Sequence, residues 1–95
     1  MSDDVRRVVA VIPKNSQDEV RVGFNQFGGY NLLDLRVFTE PRGGGERVAT
    51  KKGVSLRIGL LPHLIGALLE AEREAVRLGL IEHRAYGPEA ARLPQ

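Results

Sequence analysis

Cysteine is absent from this 95-residue chain, which excludes a disulfide scaffold, a thiol nucleophile, a Cys-based zinc site and an iron–sulfur centre. No apolar run approaches the roughly 20 residues that a membrane-spanning helix requires. The opening residues, MSDDVRR, are acidic where a secretory leader carries positive charge, so export is not expected and a cytoplasmic location is. Catalytic groupings are scarce too. His63 and His83 stand twenty positions apart with no third ligand near them in sequence, so no metal site is expected. None of Ser2, Ser16 and Ser55 lies in a nucleophile-elbow context. The run Gly43–Gly45 lacks the Gly-Lys-Ser/Thr ending of a phosphate loop. Asp34 is the one acid placed within an alternating apolar segment, and a neighbouring strand cation such as Arg36 is its simplest partner. The chain reads as non-enzymatic, with no cofactor and no small-molecule substrate.

Charge of one sign is also in short supply. The formal net charge is +2, so whole-molecule electrostatics does not announce a polyanionic ligand. Its distribution says more: residues 1–59 hold ten Lys/Arg against seven Asp/Glu, and residues 60–95 hold four against five. Arginine outnumbers lysine eleven to three, and arginine is the better bidentate phosphate partner.

At 10.5 kDa there is room for one domain. Residues 1–7 read as a flexible tail, 8–81 as the domain and 82–95, with Gly87–Pro88 and Pro94, as a loosely ordered tail. Val8 to Ile12, closed by Pro13, is a candidate extra strand at the N-terminal side. From Glu19 to Asn25 the pattern alternates, with Val20, Val22 and Phe24 on one face; Asn31 to Thr39 repeats it with Leu33, Leu35 and Val37. Gln26 to Tyr30 is the turn between them, and Pro41 to Gly45 a loop. Glu46 to Lys52 and Val54 to Ile58 read as two further strands. Leu61, Leu64, Leu68, Val76 and Leu80 then recur at helical spacing, with Pro62 in the first turn and Gly79 as the stop.

The expected fold is α+β: a four-stranded antiparallel sheet (β-β-β-β-α) whose apolar face is covered by one C-terminal amphipathic helix. A helix of about 18–20 residues spans about 30 Å, too long for so small a sheet. Its overhang predicts a homodimer, with Leu68, Val76 and Leu80 at the interface.

The polar sheet face carries the functional signal. Arg21, Arg36 and Arg57 come from three strands and share that face with Phe38, while Phe27 and Tyr30 lie in the adjoining turn. Lys51 and Lys52 sit where the third expected strand hands over to the fourth. Cations interleaved with aromatic rings suit single-stranded nucleic acid, because cations track phosphates and rings stack on unpaired bases. A solvated sheet face, with Phe38 shielded by loops or by a partner, accounts for the pattern equally well.

Two segments, VRVGFNQFGGYNLLDLRVF and KKGVSL, favour the first of these readings. With them, the stretch from Glu19 to Leu69 resembles the C-terminal domain of the transcriptional positive cofactor 4 family, a single-stranded-DNA-binding fold of eukaryotes and bacteria. The resemblance implies a homodimer of strongly curved sheets whose helices join across the twofold axis and whose concave surfaces hold single-stranded DNA. Phe27 matches the turn aromatic that stacks a base, Arg36 a strand arginine at the DNA surface, and Lys52 with Lys51 the basic pair before the glycine. The serine-rich regulatory arm of the eukaryotic members is missing, as in a bacterial or phage-type member. Gly28 and Tyr30 stand where eukaryotic relatives have lysines, and Thr39 where they have tryptophan, which implies weaker affinity or a different strand path. Tyr30 and Phe38 are the rings left to replace the lost one.

The expectation is therefore a nucleoid-associated protein that binds single-stranded DNA with low sequence specificity in transcription, replication or repair, with RNA left open. The alternative, favoured by Gly28 and Thr39, is a dimeric protein-interaction module of the same fold with weak or no nucleic-acid binding.

Overall fold

β-Branched residues, alternation of period two and paired turn glycines place four strands in the first two-thirds of the chain. The structure, a computed structural model, describes residues 7–82; the expected tails, apart from Arg7 and Glu82, and His83 lie outside the described residues. Strands β1 (Arg7–Pro13), β2 (Asp18–Phe27), β3 (Tyr30–Thr39) and β4 (Val48–Arg57) form one sheet in the order β1-β2-β3-β4. All three pairings are antiparallel. A short 3-10 turn, Ile58–Leu60, leads into helix α1 (Leu61–Arg77).

The four-strand total agrees with expectation, but the strands are counted differently. Val8 to Ile12 belongs to β1, and Arg7, assigned to the tail, starts that strand. The two strands expected at Glu46–Lys52 and Val54–Ile58 are one, because Gly53 does not end the ladder. It stays in register opposite Arg36, at φ 154°, and a Cβ there would lie 2.3 Å from the Leu35 carbonyl oxygen. Glycine lets the two backbones touch at a kinked point of a continuous strand. Gly23 plays the same part under β1, where a Cβ would meet the Arg7 carbonyl oxygen at 2.3 Å. Beside it, β1 carries one extra residue, Val9, between the pairs Val8–Gly23 and Ala10–Val22.

The helix departs from expectation more sharply. It does not cover the sheet: its main contact is with the preceding 3-10 turn, which itself touches β3, and no residue of α1 is buried. A Schellman motif ends it at Arg77, with Gly79 at φ 77°, Leu80 N–H bonded to Ala75 C=O and Gly79 N–H to Val76 C=O. Glu70–Arg73 and Glu74–Arg77, each at i,i+3 spacing, pair on its polar side. Among the described residues nothing covers most of its apolar stripe: Leu61, Leu64 and Val76 are half-buried, while Ile65, Leu69 and Leu68, the last 55% exposed, stand open. Among the described residues the buried hydrophobic side chains are Leu33 and Phe38. Such a core is small for a chain of this length, and both the helix stripe and Phe24 and Val54 on the sheet stay open to solvent.

Candidate nucleic-acid interface

The site starts at the β2–β3 turn. Gly28 at φ 60° and Gly29 at φ 82° form a two-residue hairpin turn with positive φ at both central positions, which matches the strand twist and which glycine adopts at little cost. The turn fixes Phe27 directly opposite Tyr30, so both rings project from one face with no side chain between them. Phe27 is 76% exposed and Tyr30 50%. On β4, Arg57 pairs with Leu32 and so shares that face; its Cζ lies 3.9 Å from the Tyr30 ring centroid, a cation–π contact.

Behind the tip, the centre of the face is a closed polar network. Asp34 is buried and accepts from Arg36 Nε at 3.1 Å and Nη2 at 2.8 Å, and from Ser55 Oγ at 2.7 Å. The hydrogen bonds to Asp34 raise the Arg36 pKa above its already high ordinary value, so this guanidinium never loses its charge. Its remaining arm, Nη1, donates to the Thr50 carbonyl at 3.1 Å.

That last bond joins the network to the lysines. Between the pairs Arg36–Gly53 and Phe38–Ala49, β4 has three residues, Thr50, Lys51 and Lys52, against Val37 alone on β3. The excess forms a bulge. Thr50 staples it, donating its hydroxyl to the Val37 carbonyl at 2.8 Å and accepting the Lys52 N–H at 3.1 Å. Lys51 and Lys52 are both exposed on this bulge. Lys52 is near enough to Asp18 to help hold its carboxyl below the usual range, an effect owed first to the Thr39 hydroxyl, which donates to Asp18 at 2.5 Å.

At the far end, Arg21 lies opposite Arg36, yet neither cation is bare. Arg21 Nε donates to Glu19 at 2.6 Å while its Cζ sits 4.1 Å from the Phe38 ring centroid. Phe38 is only 8% exposed. It is thus a core ring roofed by arginine, not the exposed stacking surface expected of it. Arg47 ties the two loops at this end together, donating to the Ser16 and Gln17 carbonyls and to Glu19.

The structure therefore brings Phe27, Tyr30 and Arg57 together at the tip and sets Lys51 and Lys52 on the bulge. It places Arg21, Arg36 and Phe38 in the supporting framework. Leu68 and Leu80 are exposed and Val76 is half-buried, all along or just after α1. Thr50 and Arg47 escaped sequence reasoning. A lone glycine inside an alternating segment, Gly53, was the signal for the bulge; nothing local marked Arg47, whose partners are about thirty positions away. Among the described residues no group of three or more His, Asp or Glu side chains is placed to hold a metal. No described helix is long and apolar enough to cross a membrane.

Comparison with known proteins gives a consistent picture. Residues 14–67, more than half of the chain, match the family model described as transcriptional coactivator p15 (PC4). Among solved structures, a PC4 homologue from Burkholderia pseudomallei in an orthorhombic crystal form is similar at 30% identity and a TM-score of 0.67, covering 78% of this chain and 99% of its own. The tetragonal form of that protein gives 28% identity, a TM-score of 0.64 and coverages of 70% and 97%. A bacteriophage T5 homologue of PC4, described as implicated in recombination-dependent DNA replication, shares the fold at 20% identity and a TM-score of 0.55, over 83% of this chain and 90% of its own. No curated protein sequence matches.

Proposed function

The chain belongs to the transcriptional coactivator p15 (PC4) family, and from that premise we propose that it is a non-enzymatic, homodimeric binder of single-stranded DNA with little sequence preference. The observation that carries this reading is the tip of the sheet: two exposed rings side by side, followed on the next strand, β4, by an arginine and a stapled lysine bulge. Rings accept any unpaired base, and cations follow the phosphates. Homodimerisation is supported by the helix, whose apolar stripe is left largely exposed among the described residues. A role in transcription, replication or repair within the nucleoid is the biological setting that such binding fits.

Titrating labelled oligo(dT) against the matched duplex in moderate salt tests the reading, with the single strand expected to bind more tightly. The salt dependence tests the division of labour. Arg21 and Arg36 are neutralised within the protein, which leaves Lys51, Lys52 and Arg57 as phosphate partners in each subunit. Three contacts give a slope of log K against log salt of about −2, at roughly −0.7 per phosphate. Lys52→Ala is expected to weaken all sequences alike and to make the slope shallower by about 0.7. Phe27→Ala is expected to cost roughly 1–3 kcal/mol at an unchanged slope, since a ring releases no counterion. Equal affinity for oligo(dT) and duplex, with no effect of Phe27→Ala, would leave the protein-interaction module as the function of this fold.

A further inference from the structure

Phe27 has a neighbour that changes what the tip can hold. Tyr30 faces it across the two-glycine turn, and Arg57 lies over the Tyr30 ring at 3.9 Å. Arg57 differs from the other two arginines of this face. Arg21 and Arg36 are each ion-paired to a carboxylate, whereas among the described residues Arg57 forms no hydrogen bond or ion pair through its side chain; its contact is the ring. A guanidinium held over an exposed ring, with no side-chain hydrogen bond among the described residues, keeps its N–H groups available, and the tyrosine keeps its remaining exposed surface.

We propose that Tyr30 and Arg57 form a second stacking position for an unpaired base, beside the one at Phe27, so that the tip takes two consecutive nucleotides. This rests on the single-stranded-DNA reading and extends it to a subsite. The spacing supports it. Phe27, Tyr30 and Arg57 lie on three adjacent strands, β2, β3 and β4, and adjacent strands are about 4.8 Å apart. Cross-strand neighbours on one face hold their Cβ atoms about 5 Å apart, which leaves two separate platforms within reach of successive bases. Arg57 contributes twice: it keeps the Tyr30 ring from rotating into the solvent, and it offers its edge to the phosphate between the two nucleotides.

The test measures oligo(dT) affinity over a salt series for the full chain and four variants. Tyr30→Phe keeps the ring and should bind within about twofold of the parent. Tyr30→Ala should lose roughly five- to 150-fold, the range for one stacked base, with the salt slope unchanged. Arg57→Lys keeps the charge but not the plane, and should lose several-fold at the same slope. The combination of Tyr30→Ala with Arg57→Lys should bind no more weakly than Tyr30→Ala alone, because the two groups act as one platform. Tyr30→Ala binding like the parent would overturn the proposal. So would Arg57→Lys binding like the parent, which makes Arg57 a simple phosphate contact, or Tyr30→Phe losing as much as Tyr30→Ala, which assigns the effect to the hydroxyl. In each of these cases the sensitivity of the parent to Phe27→Ala shows that the broader reading stands. A parent that does not bind oligo(dT) overturns both.

Discussion

Leu68→Glu is expected to abolish the dimer. In an isolated chain the substitution is mild, because Leu68 is 55% exposed and glutamate forms helix almost as readily as leucine. Any large effect must come through a partner. In a twofold interface the change occurs twice, and each carboxylate leaves water without a counter-charge. The effective penalty is several kcal/mol per ion, and every 1.4 kcal/mol is tenfold in the dissociation constant, so the dimer should weaken by more than about a thousandfold. Light scattering coupled to size exclusion at tens of micromolar should report twice the 10.5 kDa chain mass for the parent and no dimer for the variant. Arg73→Gln, on the exposed polar side of α1, should remain dimeric. A parent that elutes as a folded monomer, or a Leu68→Glu protein that stays dimeric, would refute the helix-mediated assembly.

Gly53→Ala should be the most damaging single-methyl change in the sheet. Its Cβ would fall 2.3 Å from the Leu35 carbonyl oxygen and 2.8 Å from Arg36 Cα. Both are backbone atoms in the ladder and cannot step aside. The positive φ of 154° adds strain of about 1–3 kcal/mol, and forced overpacking costs a further 1–3 kcal/mol or so. At roughly 4–8 °C per kcal/mol for a domain of this size, the melting temperature should fall by about 10 °C or more. Relief requires β3 and β4 to part where Arg36 and Thr50 hold the lysine bulge, so oligo(dT) affinity should fall as well. Gly59→Ala, where the added methyl meets nothing within 4 Å, should stay within about 0.5 kcal/mol of the parent. A Gly53→Ala protein with the parent's melting temperature and affinity would show that the close backbone approach is not required.

The polar face of the sheet was legible residue by residue, because strand alternation is strict. Once Leu33, Leu35 and Val37 are assigned inward, Asp34, Arg36 and Phe38 must share the other face. The same rule could not say which members of that face would be covered. Phe38 is indistinguishable from an exposed residue until Arg21 is seen over the ring, whereas the pairing of Arg36 with Asp34 follows from their spacing and is present. Gly53 was misread as a break because glycine both ends strands and lets two strands touch, and only the neighbouring backbone tells these apart.

Local chemistry by itself determined β2, β3 and the helix, the hairpin turn at Gly28–Gly29, the helix stop at Gly79, the ion pairs along α1 and the placing of rings and cations on one side of the sheet. Each depends on residues within a few positions of one another or on a fixed period. Tertiary structure alone decided that the helix leaves its own sheet uncovered, that Arg47 clamps two loops and that Thr50 staples the bulge. It also decided that, among the described residues, Arg57 lies over an exposed ring while Arg21 and Arg36 lie against carboxylates. These depend on which distant backbones meet and at what angle, and alternation along a strand carries no information about that meeting.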